Sequence, residues 1–354
     1  MPFKIYKVLF AIIYAPFAIE LIFRILAPVP MLPRYVTAAP YGIRANMPNM
    51  TYTHTTAEYK IEIRTNSKGI RSDREIPYAK QPDIKRIVLL GDSFGMGYGV
   101  NLEDTFTAHM AKQLNQNSSY QVEVVNLSSS GHGNAEELIA LQNEGLKFQP
   151  DLVILAWHNT DIEDNVRSNL FRLNQGNLIK MSEKYLPGVK VREFLNQFYV
   201  YRFLSENSQI YNFFRNWAGE QVQELLVHLM SAKKHKNKQE TQFQNDSTSK
   251  YEKGLTVALL NEIKKVCTDN NSNFMILDIP SRKTRTEFFS RIPIEYNNTD
   301  NPYKVVSPIA AFKEAKGEKL YWERSHGHFT PFGCQIVGTV LADFINKNKL
   351  LESM

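Results

Sequence analysis

The fold is decided by the stretch Arg86-Ile87-Val88-Leu89-Leu90-Gly91-Asp92-Ser93-Phe94-Gly95-Met96-Gly97-Tyr98-Gly99. Four consecutive branched apolar residues after a basic residue predict a short strand that is buried on both faces. The Gly-Asp-Ser sequence that follows predicts a tight turn at the carboxyl end of this strand, the edge at which open α/β sheets bind ligands. Ser93 is therefore a candidate nucleophile. A turn that only caps the next segment is the structural alternative.

The same pattern of a strand, a loop and a helix recurs along the chain. Further apolar runs predict buried strands, and segments with helical periodicity follow them. Consecutive units of this kind imply a parallel sheet with helices on both faces, so the ends of the strands should line one edge. The predicted strands are 122–125, 150–157 and 273–280, and the predicted helices are 102–114, 136–148, 254–269 and 334–346.

Gly91-Asp92-Ser93-Phe94 resembles the first block of the SGNH/GDSL hydrolase superfamily, whose members cleave or transfer acyl esters with a serine at this position. The resemblance spans residues 86 to 340 and continues, in order, at Gly131 and at His328, which Gly333 follows five residues later. It implies a three-layer α/β/α fold with a mainly parallel, flavodoxin-like sheet. It also implies that Ser93 is the nucleophile, that His328 is its base, and that the amides of Ser93 and Gly131 donate to the oxyanion.

The third block of the superfamily departs from its usual form in this chain. A gapless alignment places Thr160 opposite the expected asparagine and moves Asn159 one position earlier. The third oxyanion donor is therefore either the Asn159 amide or the Thr160 hydroxyl. His132 and His158 also fall at the predicted edge and are candidate substrate contacts, although solvent-facing loop histidines are common.

The usual acid of the triad is also replaced. The superfamily places an aspartate two or three residues before the histidine, but here His326 and Ser325 occupy those positions. Glu323 is close enough in sequence to be a substitute. Otherwise the resemblance implies a catalytic dyad of Ser93 and His328.

The first 33 residues are predicted to be a signal anchor. Val8 to Ala27 is predominantly apolar, is long enough to cross a bilayer as a helix, and follows Lys4 and Lys7, so we expect the domain to lie outside the cytoplasm. Glu20 and Arg24 have the spacing of a helical ion pair. A cleaved secretory signal is the alternative.

Three further regions are predicted after the anchor. Residues 34–84 form a lead-in with short strands, including an alternating strand at Glu58 to Arg64, and residues 85–350 form the α/β domain. Within that domain, residues 166–231 are rich in aromatic residues and predict a helical insertion, either a lid over the sheet edge or ordinary helix packing. Residues 232–250 predict a polar loop.

The composition limits the classes of function that the sequence can support. The hydrophobic fraction of 43% supports a large core. The net charge of +6 is modest and the lysines are concentrated around Lys233 to Lys238, so no nucleic-acid groove is expected. Cys267 and Cys334 have no metal-ligand spacing, and no metal or organic cofactor is implied. We expect an acyl-ester hydrolase, with an O-acetyl group on a cell-surface glycan as substrate. An O-acyltransferase using the same residues and a non-catalytic binding or assembly protein are the alternatives.

Overall fold

The structure is a computed structural model that describes residues 2–26, 35–56, 58–117, 120–186, 188–215, 217–218, 241–294, 302–315, 318–325 and 327–352. Its strands are β1 (Val36–Ala38), β2 (Arg44–Asn46), β3 (Thr51–Thr55), β4 (Lys60–Arg64), β5 (Ile84–Gly91), β6 (Gln121–Asn126), β7 (Leu152–His158), β8 (Phe171–Asn174), β9 (Asn177–Lys180), β10 (Asn273–Ile279), β11 (Ser281–Arg282), β12 (Phe288–Phe289) and β13 (Lys304–Val306). Its helices are α1 (Pro2–Leu26), α2 (Ser93–Met96), α3 (Phe106–Asn117), α4 (Asn134–Asn143), α5 (Asp161–Ser168), α6 (Val189–Leu195), α7 (Tyr199–Asn207), α8 (Thr241–Asp269), α9 (Ile309–Glu314) and α10 (Pro331–Lys347).

A five-stranded parallel sheet forms the centre of the domain, with the spatial order β6-β5-β7-β10-β13. Numbered along the chain, this order is 2-1-3-4-5, which is the flavodoxin-like arrangement. The order reverses between β5 and β7, and ligands of such sheets bind in the crevice at this point. The predicted parallel α/β fold is confirmed, and Ser93 follows the strand at the switch point.

Alternate residues of the central strands supply two separate cores. Val88 and Leu90 of β5 face a core that α4 and α8 complete, whereas Ile87 and Leu89 face a core that α3 and α10 complete. This alternation explains why the strand is apolar on both faces. The sheet therefore carries helices on each side, as the repeated strand and helix pattern predicts.

Arg86 fixes the beginning of β5 from inside the protein. Its side chain is 1% exposed and forms an ion pair with Glu123 on β6, with 2.6 Å between Nη2 and Oε2. Nη1 also donates to the carbonyl oxygens of Tyr78 and Phe148, at 2.9 and 2.8 Å. One guanidinium thus joins β5 to the neighbouring strand and to two connecting segments.

The lead-in forms two small antiparallel sheets, β1 with β2 and β3 with β4. Tyr52 and Ile63 from these strands, together with Tyr35 directly before β1, pack with Met96 and Tyr98, which follow the Ser93 turn. The lead-in is therefore part of the wall around that turn.

The membrane anchor that the sequence predicts is not supported. Among the residues that the structure describes, no helix combines the length and apolarity that crossing a membrane requires.

The structure also differs from the sequence predictions in three local elements. The insertion contains an antiparallel hairpin, β8 with β9, where mostly helical structure was expected. The predicted polar loop at 232–250 already belongs to α8 from Thr241 onward, because this stretch lacks glycine and proline before Gly254 and polar residues do not themselves oppose a helix. Residues 232–240 lie outside the described residues. The short edge strand β13 is an element that the sequence analysis did not predict.

Replacement of Arg86 by methionine should destabilise the domain by about 3–5 kcal/mol, because it leaves Glu123 and two carbonyl groups without their buried partner. Urea unfolding of Arg86→Met and of the exposed control Arg74→Met measures the difference. A loss below about 1 kcal/mol for Arg86→Met would show that this guanidinium does not fix β5.

Candidate active site

Ser93 is the first residue of α2 and lies directly beyond the carboxyl end of β5. The side chain of Asp92 caps this short helix, since its Oδ1 accepts a hydrogen bond from the amide of Phe94 at 2.8 Å. Ser93 itself remains partly exposed, while its neighbours on both sides are buried. The turn thus presents one hydroxyl at the edge of the sheet.

Arg71 locks the segment that follows the nucleophile turn. Its side chain is 3% exposed, and its two terminal nitrogens donate to the carbonyls of Met96, Gly97 and Val100 at 2.9, 2.5 and 2.5 Å. Gly97 has a positive φ of 78°, and a Cβ atom there would lie 2.8 Å from Nη1 of Arg71. The close approach of the guanidinium therefore requires glycine at position 97.

His328 meets Ser93 at the same edge. Its Nε2 lies 2.7 Å from Ser93 Oγ, so the hydroxyl can donate its proton directly to the imidazole. The ring of His328 packs between Phe94 and Tyr98, with centroid distances of 4.6 and 4.9 Å. The structure therefore brings together the predicted nucleophile and the predicted base, which are 235 residues apart in the chain.

The lead-in supports the Tyr98 side of this pair. The hydroxyl of Tyr98 is 2.7 Å from Nε2 of His54, and Nδ1 of His54 is 3.2 Å from the hydroxyl of Tyr52. All three side chains are buried. A hydrogen-bonded aromatic stack from β3 thus backs the ring against which His328 packs.

Gly131 lies in the loop after β6, beneath the guanidinium of Arg44. Its φ is 79°, and a Cβ atom would lie 2.8 Å from both terminal nitrogens of Arg44. Arg44 Nη2 also donates to the carbonyl oxygen of Gly131 at 2.7 Å. A side chain at position 131 is excluded on both conformational and steric grounds, and a positive charge lies next to the predicted oxyanion donor.

The residues of the altered third block hydrogen-bond to a neighbouring loop. The Asn159 amide donates to Ser281 Oγ at 2.8 Å, and its oxygen accepts from the amide of Arg291 at 2.7 Å. Thr160 is exposed, and its hydroxyl is 2.9 Å from Nδ1 of His158. Burial lowers the pKa of His158 to about 4, so this imidazole is neutral at pH 7. Neither Asn159 nor Thr160 is held in place by the Ser93 turn itself.

The positions considered for the missing acid have other partners. The carboxylate of Glu323 pairs with Arg285, with 2.6 Å between Oε1 and Nη2. Ser325 is buried, and its hydroxyl donates to Thr56 Oγ1 at 3.0 Å. His326 lies outside the described residues.

His132 does not face solvent as a loop histidine usually does. It is 2% exposed, and its Nε2 lies 2.8 Å from the carbonyl oxygen of Arg44. Burial lowers its pKa to about 4. The interpretation of His132 as a substrate contact is therefore wrong for this structure, because the imidazole is enclosed beneath β2.

Three buried carboxyl groups lie in or near the nucleophile turn. They belong to Asp92, Glu137 and Asp161. Burial raises the pKa of each, to about 6 for Asp92. Nδ2 of Asn134 donates to both Glu137 Oε2 and Asp161 Oδ2, at 2.8 and 3.1 Å. These groups hold protons more tightly than free carboxyls do, which limits the negative charge beneath Ser93.

No cluster of ligating side chains suited to a metal ion occurs within the described parts of the chain. Cys267 and Cys334 are both buried, and burial raises the pKa of each thiol to about 12.

Sequence reasoning missed the residues that brace the pair. Arg71 ends the short segment Asn66-Ser67-Lys68-Gly69-Ile70-Arg71, whose sequence is also typical of an ordinary glycine turn. Arg44 and His54 lie in short strands with no motif. Their roles depend on contacts with distant parts of the chain, which no local pattern reports.

Glu137→Gln should stabilise the protein at about pH 8. Folding raises the pKa of the Glu137 carboxyl, so the native state binds its proton more tightly than the unfolded state does. The resulting stabilisation is complete only below the unfolded pKa and is lost as the pH rises. The neutral amide avoids the loss, so we expect a gain of about 1 kcal/mol or more at pH 8 that disappears near pH 4. Thermal unfolding at both pH values, with exposed Glu163→Gln as control, measures it. A gain that is equal at both pH values would contradict the assignment.

No family model and no curated protein matches the chain. Among solved structures, it is similar to a putative lipolytic protein of the G-D-S-L family from Desulfitobacterium hafniense, at 11% identity over 73% of this chain and 99% of that one, with a TM-score of 0.40. It is also similar to TesA, at 12% identity over 74% and 99% with a TM-score of 0.41, and to a psychrotrophic esterase, EstA, from a Pseudoalteromonas species, at 12% identity over 75% and 98% with a TM-score of 0.39. In its motifs, its strand order and its Ser93–His328 pair, the chain resembles the SGNH/GDSL hydrolase superfamily.

Proposed function

We propose that the protein is an acyl-ester hydrolase in which Ser93 is the nucleophile and His328 is the general base. One observation carries this proposal: the distance of 2.7 Å between Ser93 Oγ and His328 Nε2 at the switch point of the sheet. A serine hydroxyl is a weak nucleophile by itself and needs an adjacent base within hydrogen-bond reach. The distance to His328 Nε2 supports this residue in that role.

The reaction follows from these two groups. Ser93 Oγ attacks the carbonyl carbon of the ester while its proton passes to His328 Nε2. The protonated imidazole then gives this proton to the leaving alcohol oxygen as the carbon–oxygen bond breaks, which leaves the acyl group on Ser93. In the second half, a water oxygen attacks the acyl carbon while His328 Nε2 takes the water's proton. The bond from this carbon to Ser93 Oγ then breaks, His328 returns the proton to Oγ, and the carboxylic acid leaves.

The charge that develops on the carbonyl oxygen needs hydrogen-bond donors. We assign this role to the amides of Ser93, at the amino end of α2, and of Gly131. Arg44, which lies over Gly131, adds a positive charge nearby. Asn159 is the third candidate, but its amide donates to Ser281 in this structure. A weaker oxyanion site would lower the rate, and this feature also favours the alternative of a protein that binds esters without cleaving them.

We propose an O-acetyl group on a cell-surface glycan as the ester. This choice rests on the sequence-based expectation that the domain lies outside the cytoplasm, and not on contacts in the site. Transfer of the acyl group to another alcohol would use the same residues, since an acceptor hydroxyl replaces water in the second half of the reaction.

Ser93→Ala and His328→Ala should each lower kcat for hydrolysis of p-nitrophenyl acetate by about 10³-fold or more, because each removes one half of the proton-transfer pair. The melting temperature of Ser93→Ala should remain within a few degrees of the wild-type value, since a partly exposed hydroxyl contributes little to packing. Steady-state kinetics and thermal unfolding, with exposed Ser67→Ala as control, test both statements. Unchanged turnover in Ser93→Ala would remove this residue from the mechanism.

A further inference from the structure

The position of His328 depends on a short segment that we call the histidine loop, of which the structure describes residues 322–325, 327 and 328. The loop is closed at its base, where the amide of Trp322 donates to the carbonyl of His328 at 2.8 Å and where Tyr321 bridges to Phe329. Its last residue carries the imidazole that meets Ser93. Any shift of the loop therefore changes the distance over which the proton must move.

The carboxylate of Glu58, in the lead-in, accepts hydrogen bonds from the first part of this loop. Glu58 Oε2 accepts a hydrogen bond from the amide of Arg324 at 2.7 Å, and Oε1 accepts one from the amide of Glu323 at 3.1 Å. Lys319, just before the loop, donates to Oε1 at 2.8 Å.

The carboxylate is both charged and enclosed. The side chain of Glu58 is 10% exposed. Burial alone would raise its pKa, but the hydrogen bonds from Lys319 and from the loop amides outweigh this effect and lower the pKa to about 2. Glu58 is therefore ionised at neutral pH, and hydrogen bonds to a charged acceptor are stronger than those between neutral groups.

Glu58 also lies on a hairpin that is anchored in the core by buried side chains. It lies in the turn between β3 and β4, whose side chains Tyr52, Ile61 and Ile63 are buried in the core beside the Ser93 turn. The Thr56 hydroxyl accepts from the amides of Glu58 and Tyr59, at 3.2 and 3.1 Å, and orders the turn. The same hairpin thus supports Tyr98 on one side and the histidine loop on the other.

We propose that Glu58 is a positioning residue for the reaction: through the backbone of the histidine loop it holds His328 Nε2 against Ser93. This inference rests on the proposed function. In the superfamily that the chain resembles, an acid two or three residues before the histidine orients the ring directly. Here an acid from the lead-in, 270 residues earlier in the chain than His328, fixes the loop that carries the ring.

Glu58→Ala should lower kcat for p-nitrophenyl acetate by about 10- to 100-fold with little change in KM, because misplacement of a base by about 1 Å can cost 10²-fold in rate. Glu58→Gln should lose less, since its side-chain oxygen still accepts from one loop amide. The matched control is Glu62→Gln on the same hairpin, whose carboxylate pairs with Arg64 and has no contact with the loop among those described. Equal losses in Glu58→Gln and Glu58→Ala would still support the inference if hydrogen exchange rises in both.

Hydrogen exchange gives a readout that does not depend on activity. The amides of Glu323 and Arg324 should exchange faster in Glu58→Ala than in wild type or Glu62→Gln, and the NMR signals of the His328 ring should shift. Unaltered kcat despite faster exchange would overturn the positioning role, as would unaltered exchange. If the wild-type protein cleaves no ester, the proposed function fails. Amide hydrogen exchange and the NMR signals of the His328 ring then still test whether Glu58 positions the loop.

Discussion

The contact between Ser93 Oγ and His328 Nε2 is the point at which the central sheet and the last part of the chain meet to form the candidate site. It joins the end of the first central strand to a loop near the end of the chain, and it forms only because the parallel sheet brings both to one edge. The two apolar cores hold the strands in order, while Arg86 fixes where β5 begins. A short helix cap at Asp92 then aims the hydroxyl out of the sheet.

Two residues of the lead-in brace the two halves of this contact. Arg71 binds three carbonyl groups directly after the Ser93 turn, and Glu58 binds two amides of the histidine loop. One is a buried cation that takes backbone acceptors, and the other is an enclosed anion that takes backbone donors. These contacts tie backbone groups on both sides of the Ser93–His328 pair to side chains of the lead-in, and we expect them to limit how far Ser93 and His328 can separate.

The sequence predicted the parts of this architecture that local patterns encode. Branched apolar runs located the central strands, and the glycine, aspartate and serine of the turn located the nucleophile. The roles of Arg71 and Glu58 were not predicted, because their partners are backbone atoms of distant segments. Such contacts produce no periodic pattern in the sequence. His132 was misjudged for a related reason: nothing in a loop sequence shows that β2 will cover it. The edge strand β13 was too short for its pattern to differ from loop.

The most direct test of the roles of Ser93 and His328 is to treat the protein with a serine-reactive fluorophosphonate and to map the labelled residue by mass spectrometry. Only a serine whose proton is taken by a neighbouring base reacts readily. The assignment of these two roles predicts a single adduct on Ser93 that forms much more slowly in His328→Ala. A folded protein that gives no adduct, or one that is labelled at another serine such as Ser281, would contradict it.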